Sequence, residues 1–388
     1  MNYFHWIIGT ILGLAWFSRI VDAAFGMKTV ADISRPEWDR KLARSPRVSI
    51  IVPARNESED IEDALTRLFS LDYDNYEVIA INDRSTDGTG VIMDRVASRP
   101  TGQGKIKVIH IKELPPGWLG KPHAMWSAAN QATGKWLLFT DADVLFKPDS
   151  IRRAVAYAEA EPADHLVLFP KMIMKGPGER LMIAFFQTLF VFGHRPWKVA
   201  DPKTDDHIGV GAFNLIRRNA YEKVGTYKRL RLEILDDMKM GKIIKKAGFA
   251  QRNVFGEDLI SIHWAKGTMG VVRNLTKNFY AVLSYQWPRA LLSCFALAIL
   301  NWGPFAGTIF VHGWARLPYM IALVSMLLIY VGMSARSAIP PYYFVLHPIS
   351  TLLFCYAVMR STFLTLRQGG VVWRGTFYAL EELKRGLV

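Results

Sequence analysis

Three long uncharged runs follow Arg289 and set the first constraint on the fold. They are ALLSCFALAILNWGPFAGTIFV (290–311), LPYMIALVSMLLIYVGMSA (317–335) and YYFVLHPISTLLFCYAVM (342–359), separated by turns that hold Arg316 and Arg336. A helix needs about 17–25 such residues to cross a bilayer, and in hydrocarbon the backbone must satisfy its own polar groups, so these runs predict lipid-embedded helices. We read residues 290–360 as a membrane region of two or three spans. His347 and Pro348 interrupt the third run, and a proline at membrane depth needs neighbours to satisfy the carbonyl it frees.

The N-terminal run YFHWIIGTILGLAWF (3–17) has no charged residue before Arg19. A signal peptide is the rival reading, with DAAFG (22–26) as its best cleavage site. No basic segment precedes the run, so residues 1–25 read as a membrane anchor. Both cysteines, Cys294 and Cys355, fall inside candidate spans, which argues against a disulfide framework or a zinc site. The formal net charge of +14 fits a cytoplasmic surface facing anionic lipid better than a nucleic-acid partner, so no nucleic acid is expected.

Orientation follows from where the cations lie. The segment from Arg19 to Arg289 carries most of them, which assigns it to the cytoplasm of an integral membrane protein, expected in a bacterial inner membrane. The basic tail, residues 361–388, holds Arg367, Arg374, Lys384 and Arg385, with Arg360 just before it. Keeping those charges inside requires an even number of crossings after Arg289. Three full spans break that rule, so either one segment is re-entrant or interfacial, or the charge rule fails here.

Between the apolar ends, strand and helix patterns alternate. VSIIVPA (48–54) is the near-continuous β-branched run of a strand buried on both faces, and IEDALTRLF (61–69) has helical spacing. YEVIAIND (76–83), IKVIHIKE (106–113) and WLLFTDAD (136–143) read as further strands, with helices after STDGTG (85–90) and near HAMWSAANQA (123–132). The expected fold class is α/β, a Rossmann-like, mostly parallel sheet with transmembrane helices at both ends.

In such sheets ligands bind beyond the carboxyl ends of the strands. The residues delivered there are Arg55, Asn56 and Glu57, then Asn82 and Asp83, then Asp141 and Asp143. TDADV (140–144) sets two carboxylates two residues apart after an apolar strand, a spacing in which both can meet one hard divalent cation and a diphosphate bridged by it. Three strands delivering polar ends to one rim exceeds what helix capping alone explains. LDDMKMGKIIKKAG (235–248) puts a second acidic pair at a helix start, where the bland alternative is a cap without chemistry.

VSIIVPARNES (48–58), IAINDRSTDGTG (79–90), GWLGKPHAMW (117–126) and LLFTDADVLF (137–146) occur in the order seen in family-2 glycosyltransferases, and the chain resembles their inverting, GT-A-fold branch over residues 46–265. GWLGKPHA and the tail GGVVWRGTFY (369–378) resemble membrane enzymes of hopanoid and carotenoid pathways, with ceramide glucosyltransferases more distant. The resemblance implies a UDP-sugar donor and Mg²⁺ or Mn²⁺. It implies that Pro53, Ala54, Arg55 and Glu57 line the nucleoside pocket and that Asp83 reads the uracil or ribose. Lys121 would lie near the diphosphate or sugar, Asp141 would face the sugar or ribose and share the metal, and Asp143 would hold the metal. Asp237 would be the base, supported by Asp236, with Glu233 a less favoured base. Asn82 stands where many relatives have Asp.

The expected acceptor is a membrane lipid such as a polyisoprenoid, hopanoid or sphingolipid-like molecule. A processive polysaccharide synthase and a silent membrane scaffold are the alternatives. Processive relatives carry Gln, two residues, Arg and Trp after the base, but Gln286–Arg289 is followed by Ala290. Residues 266–289 and LMIAFFQTLFVFG (181–193) are expected at the membrane surface, where they would guide the lipid. HIGVGAFNLIRRNAYEKVG (207–225) resembles the segment that closes the pocket, with Gly211 and Asn214 as candidates there.

Overall fold

Seven strands of one sheet arise where the β-branched runs alternate with amphipathic helices. The computed structural model describes residues 2–388 apart from Glu257 and Ala338, and the chain divides into two units, each described separately below. The first comprises Val30–Ile173, Lys198–His263 and Val372–Val388. Its strands are β1 (Val48–Ala54), β2 (Tyr76–Asp83), β3 (Ile106–Ile111), β4 (Trp136–Phe139), β5 (Val144–Phe146), β6 (His165–Leu168), β7 (Lys171–Met172), β8 (Asn214–Arg217), β9 (Gln251–Val254) and β10 (Ile260–Ile262).

The main sheet has the order β3-β2-β1-β4-β8-β6-β9, and β5-β10-β7 form a second, small sheet. β1 pairs in parallel with both β2 and β4, and among the main-sheet strands β8 alone runs the other way. Chain order reverses between β1 and β4, which opens a ligand crevice beyond their ends. Ile50, Val52, Leu138 and Leu166 are buried on one face of this sheet, while Ile51, Ile79, Leu137 and Phe139 are buried on the other. Burying each such aliphatic side chain contributes about 1.5–3 kcal/mol. The helix Ile61–Phe69 covers the first face with Ile61, Ala64, Leu65 and Leu68.

One strand differs from the expectation. WLLFTDAD is not a single strand, because β4 stops at Phe139. The Thr140 hydroxyl then donates to the Ala212 carbonyl (2.8 Å) and the Asp141 amide to the Gly211 carbonyl (3.0 Å). These bonds release the chain from the main sheet, and β5 enters the second sheet antiparallel to β10. Both carboxylates of TDAD therefore sit on a link between two sheets.

The second unit, Met1–Thr29, Met174–Trp197 and Trp264–Val371, is helical. Four of its helical segments are long and apolar enough to cross a membrane: Tyr3–Thr29, Trp287–Phe310, Gly313–Ser334 and Pro341–Gln368. Helix Asn2–Gly26 lies along Leu317–Ser334, with Trp16 packed among Ala322, Met326 and Ile329 and its indole donating to the Leu300 carbonyl (2.9 Å). His347 and Pro348 do not break the last run. They open the helix His347–Gln368, with proline in its first turn, where a missing N–H costs nothing.

That helix begins beside the middle of Trp287–Phe310 rather than its end. His347 Nε2 lies 2.8 Å from Asn301 Oδ1, and its Nδ1 lies 2.9 Å from the Tyr330 hydroxyl. Further along, the Cys355 thiol approaches the Cys294 carbonyl, and then Ser361 and Arg360 reach Thr276 of the helix Gly267–Val282. The helix thus runs antiparallel to Trp287–Phe310, from its middle back past its start. Helix Pro177–Gly193 belongs to the same unit, packing Met182 and Phe185 with Val272 and Phe354.

After this helix come β11 (Gly370–Trp373) and β12 (Thr376–Ala379), a two-stranded ribbon whose tip belongs to the first unit.

Candidate active site

The ends of β1, β2 and β4 each contribute an acid already engaged by a cation. After β2, Asp83 is buried and held by Arg84, whose Nε donates to Oδ1 (2.7 Å) and Nη2 to Oδ2 (3.0 Å); Arg55 Nη1 stands 3.9 Å away. After β1, which ends on Pro53 and Ala54, Glu57 is fixed through its amide, which donates to the Thr89 hydroxyl (2.8 Å), and its carboxylate pairs with Arg374. Burial pushes the Glu57 carboxyl up, and Arg374 counters that. Asn82 serves the turn, accepting from the Ser85 amide (3.3 Å) and meeting His110 Nδ1 (3.0 Å).

After β4, Lys121 Nζ donates to Asp141 Oδ1 at 2.6 Å. Burial alone would lower the Lys121 pKa, but Asp141, Asp236 and Asp237 together raise it above the ordinary lysine value. Asp141 of the first acidic pair thus contacts the ammonium, and the charges of both acids of the second pair act on it. Two glycines allow this approach. A Cβ on Gly211 would come within 2.4 Å of Asp141 Oδ2, and one on Gly209 within 1.8 Å of the Asp237 carbonyl oxygen. A three-residue stretch is therefore wedged between the TDAD loop and the helix Asp236–Lys246.

Asp143 is buried beside two other acids. Its Oδ1 is buried with no hydrogen-bond partner among the described residues. Burial, followed by the charges of Asp141 and Glu57, pushes its carboxyl up to about 7. An acid so destabilised favours a cation beside it. No group of three His, Cys, Asp or Glu capable of holding a metal occurs among the described residues. The donor set is two carboxylates, which suits a hard divalent ion whose remaining ligands are phosphate oxygens and water.

The second acidic pair occupies the first turn of Asp236–Lys246, with Leu235 as cap residue and no side-chain cap bond. Asp236 is buried; Asp237 is half-buried and accepts from the Met238 amide at 2.7 Å. Glu233 is buried, with Lys239 Nζ 3.5 Å from its carboxylate. Asn214 is buried on β8, its Oδ1 3.0 Å from His165 Nε2 and 3.4 Å from the Val210 amide, which is a packing role.

Sequence reasoning missed three residues of this rim. Arg84 follows the Asp83 it grips. Arg374 donates from Nη1 to the Arg55 carbonyl (2.6 Å), and the buried Tyr378 hydroxyl accepts from the Gly120 amide (3.1 Å) at the start of the helix that carries Lys121. The only signal for the last two was the tail motif, to which the strand and helix pattern attached no role.

Comparisons with known proteins agree with this geometry. Residues 49–225 match the family model described as Glycosyl transferase family 2. A 4,4'-diaponeurosporenoate glycosyltransferase of Staphylococcus aureus is 23% identical over 95% of this chain and 100% of its own length. One from Staphylococcus haemolyticus is 21% identical over 63% of this chain, and the match spans 64% of that relative. Among solved structures, the mannosyltransferase PcManGT of Pyrobaculum calidifontis, in complex with GDP-Man and Mn²⁺, is 20% identical with a TM-score of 0.54, covering 92% of this chain and 98% of that one. The parallel sheet, the crevice and the family match agree: residues 49–225 form a family 2 glycosyltransferase domain, and the chain is a glycosyltransferase of the GT-A fold.

Proposed function

We propose that this enzyme moves one sugar, with inversion, from a nucleotide-sugar donor to the hydroxyl or carboxyl of a membrane lipid. The observation that carries the reading is the Lys121–Asp141 contact at the end of β4, with the Gly209–Gly211 stretch wedged between that loop and the helix of Asp236 and Asp237, and with a buried Asp143 oxygen that lacks a partner among the described residues. Asp83, with Pro53, Ala54, Arg55 and Glu57, holds the nucleoside, and the donor is a UDP-sugar.

Mg²⁺ or Mn²⁺ held by Asp143 and Asp141 would offset charge on the leaving diphosphate. Lys121, kept as an ammonium by three acids, supplies a second positive charge there. Asp237, half-buried where Asp236 is buried, takes the proton from an acceptor hydroxyl as that oxygen attacks the anomeric carbon. The bond to the diphosphate oxygen breaks on the opposite side. Asp236 holds the pair in place at the helix start, where the dipole favours negative charge. A carboxylate acceptor needs no such base.

A lipid acceptor is supported by the apolar helices in the same chain and by relatives named for a carotenoid carboxylate. The catalytic unit and the tail tip lie on the cytoplasmic face. Trp287–Phe310 crosses the bilayer and Leu317–Ser334 returns, while His347–Gln368 starts at mid-depth and runs back to the same side. This reconciles the tail charges with three apolar helices.

The chemical test uses the full chain in detergent with UDP- and GDP-sugars, with and without Mn²⁺. Hydrolysis should require the metal, prefer UDP, and fall about 10²- to 10³-fold in Asp143→Ala and Asp237→Asn. Metal-independent turnover, or variants as active as the wild type, would sink the reading, and a product that lengthens with time would favour a polymer synthase. For topology, cysteines introduced at Gln103 and at Glu382 should label from the same side of sealed vesicles. Labelling from opposite sides overturns the half-depth helix.

A further inference from the structure

The tail ribbon places an arginine where its backbone is least at ease. Arg374 has φ +48° and Gly375 φ +76°. Two successive left-handed residues make the tight turn that matches the twist of a hairpin, a turn whose first position ordinarily goes to Asn, Asp or Gly. An arginine held there against its backbone preference is carried for its side chain.

That side chain lies on the donor rim. Its Nη1 donates to the Arg55 carbonyl at 2.6 Å and pairs with Glu57. Tyr378 anchors the other end of the ribbon on the Gly120 amide, so β12 spans from the end of β1 to the helix carrying Lys121. Both closest contacts of Arg374 run through Nη1. This leaves the Nε–Nη2 edge, the side of a guanidinium that grips two oxygens of a phosphate.

Of the other cations of the rim, Arg84 and Lys121 are bonded to neighbouring acids, and Arg55 is largely enclosed, its side chain 16% exposed and its Nη1 3.9 Å from Asp83. Arg84 directs Nε and Nη2 at Asp83, and Lys121 is bound to Asp141 and buried among acids. The side chain of Arg374 is 44% exposed, against 16% for Arg84 and 20% for Lys121. A diphosphate entering a rim lined by Glu57, Asp83, Asp141 and Asp143 receives the charge of the enclosed Lys121 and meets in Arg374 the most exposed cation there. We propose that Arg374 binds the diphosphate of the nucleotide-sugar donor, with Glu57 and the Arg55 carbonyl orienting its guanidinium, so that the C-terminal ribbon forms one wall of the donor pocket. This rests on the donor reading above.

The test measures binding of uridine, UDP, guanosine and GDP to the full chain in detergent with Mn²⁺, for the wild type, Arg374→Asn and Arg374→Lys. Asparagine tolerates the left-handed backbone and removes the cation, so the turn persists while the charge is lost. Arg374→Asn should bind the preferred nucleoside diphosphate about 10- to 100-fold more weakly, the worth of a charge-assisted contact, with nucleoside affinity unchanged within about two-fold. Arg374→Lys should recover part of the loss. Nucleoside and diphosphate weakening together would mean that the ribbon only shapes the pocket, and would overturn the assignment. So would an unchanged diphosphate affinity. Should Arg374→Asn fail to fold, Arg374→Lys decides alone, since it keeps the charge but loses the two-pronged edge: a loss confined to UDP or GDP supports the assignment and no loss overturns it. A wild type that binds neither UDP nor GDP defeats the donor reading itself.

Discussion

Two buried titratable groups of the catalytic unit, Asp143 after β4 and His165 on β6, show how a site differs from a core. Burial moves both toward neutrality, pushing Asp143 up to about 7 and His165 down to about 4. Their surroundings differ. His165 is closed: Nδ1 accepts from the Gln251 amide at 2.7 Å and Nε2 meets Asn214 Oδ1 at 3.0 Å, so both ring nitrogens are used by the neutral ring. Asp143 is open, with a buried oxygen unpartnered and two further acids raising its pKa. A perturbed pKa therefore does not mark function by itself. What sets Asp143 apart is an unpartnered carboxylate oxygen with two further acids acting on it.

The comparison can be broken most directly at Asp143. Replacing it by Asn keeps the shape and removes the charge, so metal-dependent turnover should fall by about 10²- to 10³-fold. The same variant should be more stable. Because the folded pKa lies above the unfolded one, ionisation at rising pH penalises the native state from about pH 4 to about pH 7. In EDTA at pH 8, thermal unfolding of Asp143→Asn in detergent should come several degrees above the wild type. A lower midpoint would mean that the carboxylate is structural, as His165 is.

The smaller effect is at His165. Its folded pKa lies below the unfolded value near 6.5, so stability should be lost as pH falls from about 6.5 to about 4, by up to about 3 kcal/mol. His165→Gln should flatten that part of a stability profile without altering nucleotide affinity. A loss of UDP binding in this variant would erase the distinction between closed core and open site.

Much of this was legible from strand and helix periodicity. VSIIVPA and YEVIAIND are strands with the ends expected, and the rim residues Glu57, Asp83 and Asp141 follow directly from them. The end of β4 was not legible, because what stops the strand is Thr140 and Asp141 bonding to residues 212 and 211, far along the chain. Pro348 misled for a related reason: a proline reads as an interruption until the helix is seen to start there. The wedge at Gly209 and Gly211 was visible only as a glycine-containing motif. The places of Arg374 and Tyr378 at the rim depend on the chain returning after the mostly helical stretch Trp264–Val371, which no local pattern encodes.

That return has a consequence for biosynthesis. Chains are made from the N-terminus, and folding can begin before synthesis ends. β1, β2 and β4 emerge early, yet the residues that close the rim, Arg374 and Tyr378, follow the last apolar helix. A ribosome-bound intermediate has the acids of the crevice before it has the ribbon that closes the rim. On the donor role proposed for Arg374, full donor binding is thereby deferred until the whole chain has been made.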